Sequence, residues 1–241
     1  MICWICWPPT VSLQHCESIA KVRRRFQRIG KQHILILDET HCRVGLAPSH
    51  TLVTPHESPF VIVEDTTKYA HRYDMIACTS VTHTLPPVIY TPDERAVLGV
   101  DGVNSNMLIH YIHNVLAQAI AALDIYPIFL IIDKSNIHNI DRMKQAFIDS
   151  GCQCIADIVV LPTQAAKRVS PLDNTLFAQW KQHIKQRGAT HSSSLVRMMS
   201  DEWNRLTAAD IKACYHHCRV YRDDDVYGDC PDPHSHQHHQ A

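Results

Sequence analysis

The chain has 241 residues, of which 45% are hydrophobic and 20% charged, a composition ordinary for a globular protein with a sizeable core. It has no apolar run of about 18 residues, and its opening residues lack the basic start and cleavage site of a signal peptide, so we expect neither a membrane span nor secretion. The formal net charge of −1 argues against nucleic-acid binding through bulk charge, so any such contact depends on where the basic residues lie.

The ten cysteines are dilute, and several fall inside predicted helices or strands, which favours reduced thiols over a disulfide framework. The pairs Cys3/Cys6 and Cys214/Cys218 have the spacing of zinc ligands. Neither pair has a second pair to complete a site, and we interpret Cys214 and Cys218 as packing residues on a helix face. The sequence therefore predicts an intracellular protein, nuclear in a eukaryote and otherwise cytoplasmic.

A basic helix is predicted over residues 17–31, ending near Gly30. Its arginines are consistent with either a solvated helix face or a stripe that contacts DNA. The helix leads into the apolar run 34–37, which is typical of a strand covered on both faces. Asp38 and Glu39 close that run, so we expect Asp38 at a sheet edge.

Short β-rich runs between residues 43 and 92 alternate with Pro, Asp and His. This pattern predicts antiparallel strands that extend the sheet. The runs are 52–54, 59–63, 75–80 and 87–90.

Apolar residues then recur at helical spacing as far as Leu123, after a credible cap at Asn104-Ser105. This helix delivers the chain to a second buried strand, residues 128–133, which closes with Asp133. The later elements are predicted from the spacing of apolar residues, from capping residues and from Gly or Pro at their ends. They are a helix ending at Gly151, a strand over 154–161, a helix opening at Ser170, and helices over 192–205 and 207–219.

Three aspartates carry most of the chemical information. Ligands gather at the carboxyl ends of strands in sheets of this kind, which is where Asp38 and Asp133 are expected. Asp173 opens a helix after Ser170 and Pro171, where an acid is also a favourable capping residue. Helical spacing places Asp173 on one face with residues 177, 180 and 184, so the carboxylate is predicted to face the sheet.

The order and spacing of these residues resemble the catalytic domain of mariner-type DDE/D transposases, over roughly residues 33 to 222. Leu37-Asp38-Glu39-Thr40 resembles the first-acid motif of that family. The run from Asp133 to His138 is similar to the family's Asp-Asn-x-x-x-His, with Lys134 in place of the Asn. The segment from Ser170 to Trp180 resembles a shortened form of the family's last motif, with its acid at Asp173.

The resemblance implies an α/β fold, a ribonuclease H-like mixed sheet flanked by helices, with extra C-terminal helices. It implies a metal-dependent DNA endonuclease and strand-transfer activity with two Mg²⁺ or Mn²⁺ ions. Such ions prefer carboxylate oxygens and, in pairs, neutralise the attacking and leaving oxygens of a phosphodiester. The implied catalytic and metal-binding residues are Asp38, Asp133 and Asp173.

Further residues receive supporting roles. Glu39 and Asn174 neighbour implied catalytic acids, and His138 is expected to be a positioning residue rather than a ligand. Basic residues around Asp173 are expected to contact DNA. These are Lys167, Arg168, Lys181 and Lys185. The implied partners are transposon ends and target DNA, with a homodimer as one assembly and no membrane.

The expected organisation is an N-terminal remnant with a basic helix over 1–32, a catalytic domain over 33–222, and an acidic, then His-rich disordered tail over 223–241. Too few residues precede Asp38 for the family's helix-turn-helix DNA reader. Two alternatives stay open: a catalytically silent, domesticated or decayed remnant that binds DNA or protein, and a ribonuclease H-type nuclease acting on other nucleic acids.

Overall fold

A computed structural model describes residues 13–43, 71–188 and 192–220. Its five strands form one mixed sheet with the order β3-β2-β1-β4-β5. The strands are β1 (Ile34–Arg43), β2 (Arg72–Thr79), β3 (Val88–Tyr90), β4 (Ile128–Ile132) and β5 (Ile155–Val160). The predicted runs 52–54 and 59–63 and the tail 223–241 lie outside the described residues.

The sheet changes direction at β1. β2 pairs with β1 in the antiparallel sense, from Ile36 opposite Thr79 to Arg43 opposite Arg72. β4 pairs with β1 in the parallel sense, and this ladder stops where Ile36 meets Ile131. The sheet therefore has parallel strands on one side of β1 and antiparallel strands on the other, as the sequence predicts.

One boundary was wrong. Asp38 does not end its strand, because β1 continues for five more residues to Arg43. The reason is tertiary: β2 supplies hydrogen-bond partners beyond Asp38, which lies opposite Ala77. Asp38 does lie beyond the end of the parallel ladder between β1 and β4, because that ladder stops at Ile36.

Helices cover both faces of the sheet. Most were predicted, but α2 and α6 were not, although Thr91, Pro92 and Glu94 form a capping box that marks the start of α2. The helices are α1 (Leu13–Ile29), α2 (Pro92–Val97), α3 (Ser105–Tyr111), α4 (Ala117–Ala121), α5 (Ile140–Asp149), α6 (Thr163–Val169), α7 (Phe177–Arg187), α8 (Ser192–Asn204) and α9 (Ala208–His217).

Two of these helices have a π-helical turn at their start. One turn, Ile112–Leu116, joins α3 to α4, and the other, Leu172–Leu176, leads into α7. Asn104 caps α3, as predicted, by accepting the backbone N–H of Met107 at 3.0 Å.

Alternation along β1 divides the core into two layers. Ile34 and Ile36 pack in the layer formed by α1, α6, α7, α8 and α9, whereas Leu35 and Leu37 pack in the layer formed by α3, α4 and α5. This double coverage explains why the strand is a continuous apolar run. It also decides which layer each polar residue farther along β1 faces.

The first layer is held by aromatic residues that also use their polar atoms. Trp180 and Trp203 meet edge to face with ring centroids 6.4 Å apart. Trp180 Nε1 donates to the Met199 carbonyl, and Trp203 Nε1 donates to the Leu85 carbonyl, each at 3.0 Å. These contacts tie α7, α8 and the loop after β2 into one body. Across the three described segments, no helix is both long and apolar enough to cross a membrane.

Candidate active site

Asp38 is a buried carboxylate on the α7 side of the sheet. It lies two residues beyond Ile36 and so projects into the same layer. The residue is 7% exposed. Its Oδ1 accepts the backbone N–H of Glu39 at 2.8 Å, while its Oδ2 is buried without a hydrogen-bond partner. A buried acceptor without a donor is costly, and such atoms are uncommon outside functional sites.

The surroundings of Asp38 are unfavourable for its charge. Burial raises the pKa of the Asp38 carboxyl to about 9, and the charges of Asp173, Glu39 and Asp133 add to that increase in this order. These four acids come from β1, from the end of β4 and from the turn before α7. The fold therefore brings all three predicted acids into one electrostatic neighbourhood.

Asp133 directly follows β4, next to the point where the parallel ladder with β1 ends. Its side chain is 30% exposed, and its Oδ1 lies 3.1 Å from Nδ1 of His138. The same nitrogen lies 2.9 Å from the Asp133 backbone carbonyl, which takes the ring N–H. Asp133 Oδ1 is thus a second buried carboxylate oxygen, held in an ion pair with His138 but without a well-aligned hydrogen bond.

His138 links two neighbouring strands. Its Nε2 lies 3.1 Å from Glu39 Oε1, and its side chain is only 1% exposed. Burial alone would lower the pKa of the imidazole, but hydrogen bonds with Asp133 and Glu39 outweigh it and raise the pKa to about 10. The ring is thus held between two acids that favour its protonated form, and its positioning role stays a prediction. Its pairing with Glu39 was not predicted.

Asp173 lies in the π-helical turn before α7 and combines the two predicted roles. Its backbone N–H donates to Oγ of Ser170 at 3.3 Å, so Ser170 caps the helix as expected. The prediction that its carboxylate turns away from solvent was wrong: Asp173 is exposed, whereas Phe177 and Trp180 are buried. In this turn the N–H of Phe177 bonds to the carbonyl of Leu172, five residues back, which breaks the α-helical register.

Asn174 holds the turn rather than facing the acids. Its Nδ2 donates to Sγ of Cys218 at 3.5 Å, and its backbone N–H bonds to the Ser170 carbonyl at 3.0 Å. Cys214 on α9 and Cys218, the residue that caps the end of α9, are both buried, which agrees with their predicted packing role. Free thiols are found at Cys42, Cys78, Cys152, Cys154, Cys214 and Cys218.

The basic residues predicted to contact DNA lie on two helices. Lys167 is exposed and Arg168 half-buried on α6, while Lys181 and Lys185 are half-buried on α7. Lys181 lies near His41, at the end of β1. Burial lowers the pKa of His41, and the positive charge of Lys181 lowers it further. Basic side chains therefore border the strand that carries Asp38. Lys134, beside Asp133, is exposed.

Two observations bear on whether a divalent cation fits here. Oδ2 of Asp38, which has no hydrogen-bond partner, and Oδ1 of Asp133, which is paired with His138, are hard oxygen donors of the kind that Mg²⁺ and Mn²⁺ prefer. However, within the described part of the chain no three His, Cys, Asp or Glu side chains are close enough together to hold an ion. The donor chemistry fits a divalent cation, and a complete set of three acids stays a prediction.

Comparison with known proteins gives a match in structure alone. No protein-family model and no curated protein matches the sequence. The structure is similar to the Mos1 transposase paired-end complex with left transposon end, with a TM-score of 0.62 and 14% identity over 90% of this chain and 62% of that one. The Mos1 mariner paired end complex with Mn matches with a TM-score of 0.62 and 14% identity, over 90% of this chain and 63% of that chain.

The catalytic domain of Mos1 mariner transposase, solved alone, matches with a TM-score of 0.55 and 14% identity over 88% of this chain and 91% of that domain. The chain thus spans 62% of the transposase in the first complex but 91% of the isolated catalytic domain. A mixed five-stranded sheet with helices on both faces is common to them. The chain has the ribonuclease H-like fold of the mariner transposase catalytic domain.

Proposed function

We propose that this chain is the catalytic part of a mariner-like transposase, a metal-dependent DNA endonuclease and strand-transfer domain. One observation carries the proposal. On a transposase-like nuclease fold, Asp38 presents a buried carboxylate oxygen without a hydrogen-bond donor at the end of the parallel ladder, and Asp133 presents a second buried oxygen beside it, paired with His138. Ligands collect at this position in sheets with parallel strands.

In this proposal Asp38, Asp133 and Asp173 hold two Mg²⁺ or Mn²⁺ ions, and Asn174 keeps the Asp173 turn in place. Bound divalent cations supply charge neutralisation on the attacking and leaving oxygens of a phosphodiester. His138 fixes Asp133 by holding its backbone carbonyl, and Glu39 fixes His138 from the neighbouring strand. The charge on a cation would also relieve the repulsion that raises the pKa of Asp38.

The proposed partner is DNA, both transposon ends and target. Lys167 and Arg168 on α6, and Lys181 and Lys185 on α7, are proposed to contact its phosphates, because all four flank the turn that carries Asp173. The similar Mos1 structures include a paired-end complex with transposon DNA and a strand transfer complex. By analogy we propose a homodimer, nuclear if the host is a eukaryote, with the catalytic domain over 33–222 and flanks at 1–32 and 223–241.

A nicking assay tests this proposal. Supercoiled plasmid is incubated with the chain and Mn²⁺ or Mg²⁺, and Mn²⁺ affinity is measured by calorimetry. We expect metal-dependent nicking, and we expect Asp133→Asn to abolish it and to weaken Mn²⁺ binding at least tenfold, about 1.4 kcal/mol. Asp141→Asn, an exposed acid at the start of α5, is the matched control and should change neither.

A second candidate is a catalytically silent remnant that binds DNA or protein. It is favoured by the exposure of Asp173 and by the absence of a closed three-acid metal group among the described residues. Wild-type protein that binds plasmid but shows neither Mn²⁺ binding nor nicking would select the remnant. Nicking that depends on Asp133 but acts on RNA or an RNA–DNA hybrid in preference to DNA would select a ribonuclease H-type nuclease.

A further inference from the structure

Arg23 is an arginine on the inward face of its helix. It lies between Ile19 and Phe26 at helical spacing, and both neighbours are buried in the core layer that α1 shares with α6 and α9. Arg23 is half-buried, whereas the next two residues, Arg24 and Arg25, are exposed. The basic helix therefore has one arginine whose position differs from that of a solvated face.

The guanidinium of Arg23 is only partly satisfied. Its Nη2 donates to the Cys218 carbonyl at 3.0 Å, while its Nε is buried with no hydrogen-bond partner. Among the ion pairs formed by described residues, none supplies Arg23 with a carboxylate. A buried donor of a charged group that lacks an acceptor costs free energy, and an anion would supply that acceptor.

Two more arginines converge on Arg23. Arg219 follows Cys218 directly, is exposed, and has a left-handed backbone with φ of 54°. Arg168 lies on α6, which packs against α1 through Ala165 and Val169. Burial lowers the pKa of Arg23, and the positive charges of Arg219 and Arg168 lower it further, so both arginines lie near enough to act on Arg23. Like charges held together in this way repel unless an anion sits among them.

The cluster also lies close to Asp173. Cys218, whose carbonyl receives Arg23, accepts the amide of Asn174 at its Sγ, and its thiol points toward the Ser170 carbonyl at 3.7 Å. Ser170 caps the Asp173 turn, and Asn174 follows Asp173 within it. Cys218 thus connects Arg23 to that turn.

We propose that Arg23, Arg168 and Arg219 form a phosphate-binding site beside the Asp173 turn. Arginine suits this role because its planar fork of donors matches phosphate oxygens. The inference rests on the proposed function in one respect: if the acids act on DNA, the phosphate is one of the nucleic-acid backbone, neighbouring the phosphodiester at the acids. A free phosphate or phosphate ester offers the same oxygens.

The test compares four proteins in EDTA: wild type, Arg23→Gln, Arg219→Asn and, as matched control, Arg24→Gln. Arg24 is exposed on the same helix and bonds only within it, to the Ala20 carbonyl. Asn suits the left-handed position of residue 219, so Arg219→Asn removes the charge without backbone strain. Affinity for a labelled DNA duplex is measured by anisotropy across a salt series, and inorganic phosphate binding is measured by calorimetry.

We expect Arg23→Gln and Arg219→Asn to weaken DNA binding several-fold and each to reduce the slope of log affinity against log salt by about one. Arg24→Gln should match wild type. If inorganic phosphate binds to wild type but not to these two variants, while DNA affinity is unchanged, the site takes a free phosphate. Equal DNA and phosphate binding in all four proteins would overturn the proposal.

Circular dichroism shows whether Arg23→Gln folds. If it does not fold, Arg219→Asn alone tests the phosphate-binding site. The readout is also independent of catalysis because EDTA removes divalent cations. If the arginine substitutions abolish phosphate binding and the wild type never nicks DNA, the phosphate site is supported while the proposed nuclease function fails. If the wild type nicks DNA but the arginine substitutions do not weaken binding, the nuclease function is supported while the phosphate site fails.

Discussion

Nε2 of His138 lies 3.1 Å from Oε1 of Glu39, although the two residues are 99 positions apart in the chain. This contact joins β1 to the turn after β4 at the point where their parallel ladder has stopped. It replaces the backbone hydrogen bonds that the strands no longer make there. The imidazole therefore bridges the strand that carries Asp38 and the turn that carries Asp133.

Replacing His138 by Gln should destabilise the chain by about 1–3 kcal/mol, because the substitution leaves buried acceptors of Asp133 and Glu39 without a charged donor. Urea unfolding monitored by tryptophan fluorescence measures the change. His113→Gln is the control, since His113 is exposed on the π-helical turn before α4. Equal urea midpoints for the two variants would show that His138 does not hold the strands together.

Replacing Glu39 by Gln should lower the pKa of His138. In the metal-free wild type, NMR of the imidazole should show a pKa near 10, because hydrogen bonds to Asp133 and Glu39 outweigh burial. The folded pKa is raised above that of the unfolded chain, so this stabilisation is complete below about pH 6.5 and is lost as the pH rises toward 10. An imidazole that titrates near pH 6.5 in the wild type would show that Asp133 and Glu39 do not stabilise the charged form of His138.

Replacing Asp38 by Asn should stabilise the metal-free protein at alkaline pH. The pKa of Asp38 is raised to about 9 by burial, then by Asp173, Glu39 and Asp133. A raised folded pKa favours the protonated native state, so wild-type stability should fall as the pH rises from about 4 toward 9. The Asn variant should have a flatter profile.

Urea midpoints at pH 5, 6.5 and 9 in EDTA measure this difference, with Asp141→Asn as the control that should keep the wild-type dependence on pH. His138 contributes a fall of the same sign above pH 6.5, so the diagnostic interval is the more acidic one, from pH 5 to 6.5. A wild-type profile that rises across this interval would mean that Asp38 is readily ionised in the fold.

Replacing Lys181 and Lys185 together by Gln should weaken DNA binding and reduce the salt slope by about two, because each lysine is proposed to neutralise one phosphate. Both lysines lie on α7, on the same side of the sheet as Asp38. Lys144→Gln is the control, because Lys144 lies on α5 in the opposite layer. Anisotropy with a DNA duplex measures both quantities. A reduction in the control about half that of the double variant would indicate binding through overall charge alone, because the control removes one positive charge and the double variant removes two.

Much of the fold follows from local signals in the sequence. The apolar runs before residues 38 and 133 form the central strands, and Asn104 and Ser170 cap the helices that they were predicted to cap. These signals are readable because caps, buried strands and helical faces depend on residues within a few positions of each other. The capping box at Thr91 was equally local and marks α2.

The tertiary structure decided the features that depend on distant partners. β1 runs past Asp38 because β2 pairs with it, and Glu39 finds His138 because β4 lies alongside. A π-helical turn exposes Asp173, against the helical spacing, and packing of α1 on α6 and α9 turns Arg23 inward. The sequence alone determined which acids and bases are available, since residue type and local period are written in it. Their exposure, partners and charge states were decided by the fold, because burial and Coulomb interactions depend on distances that only the folded chain defines.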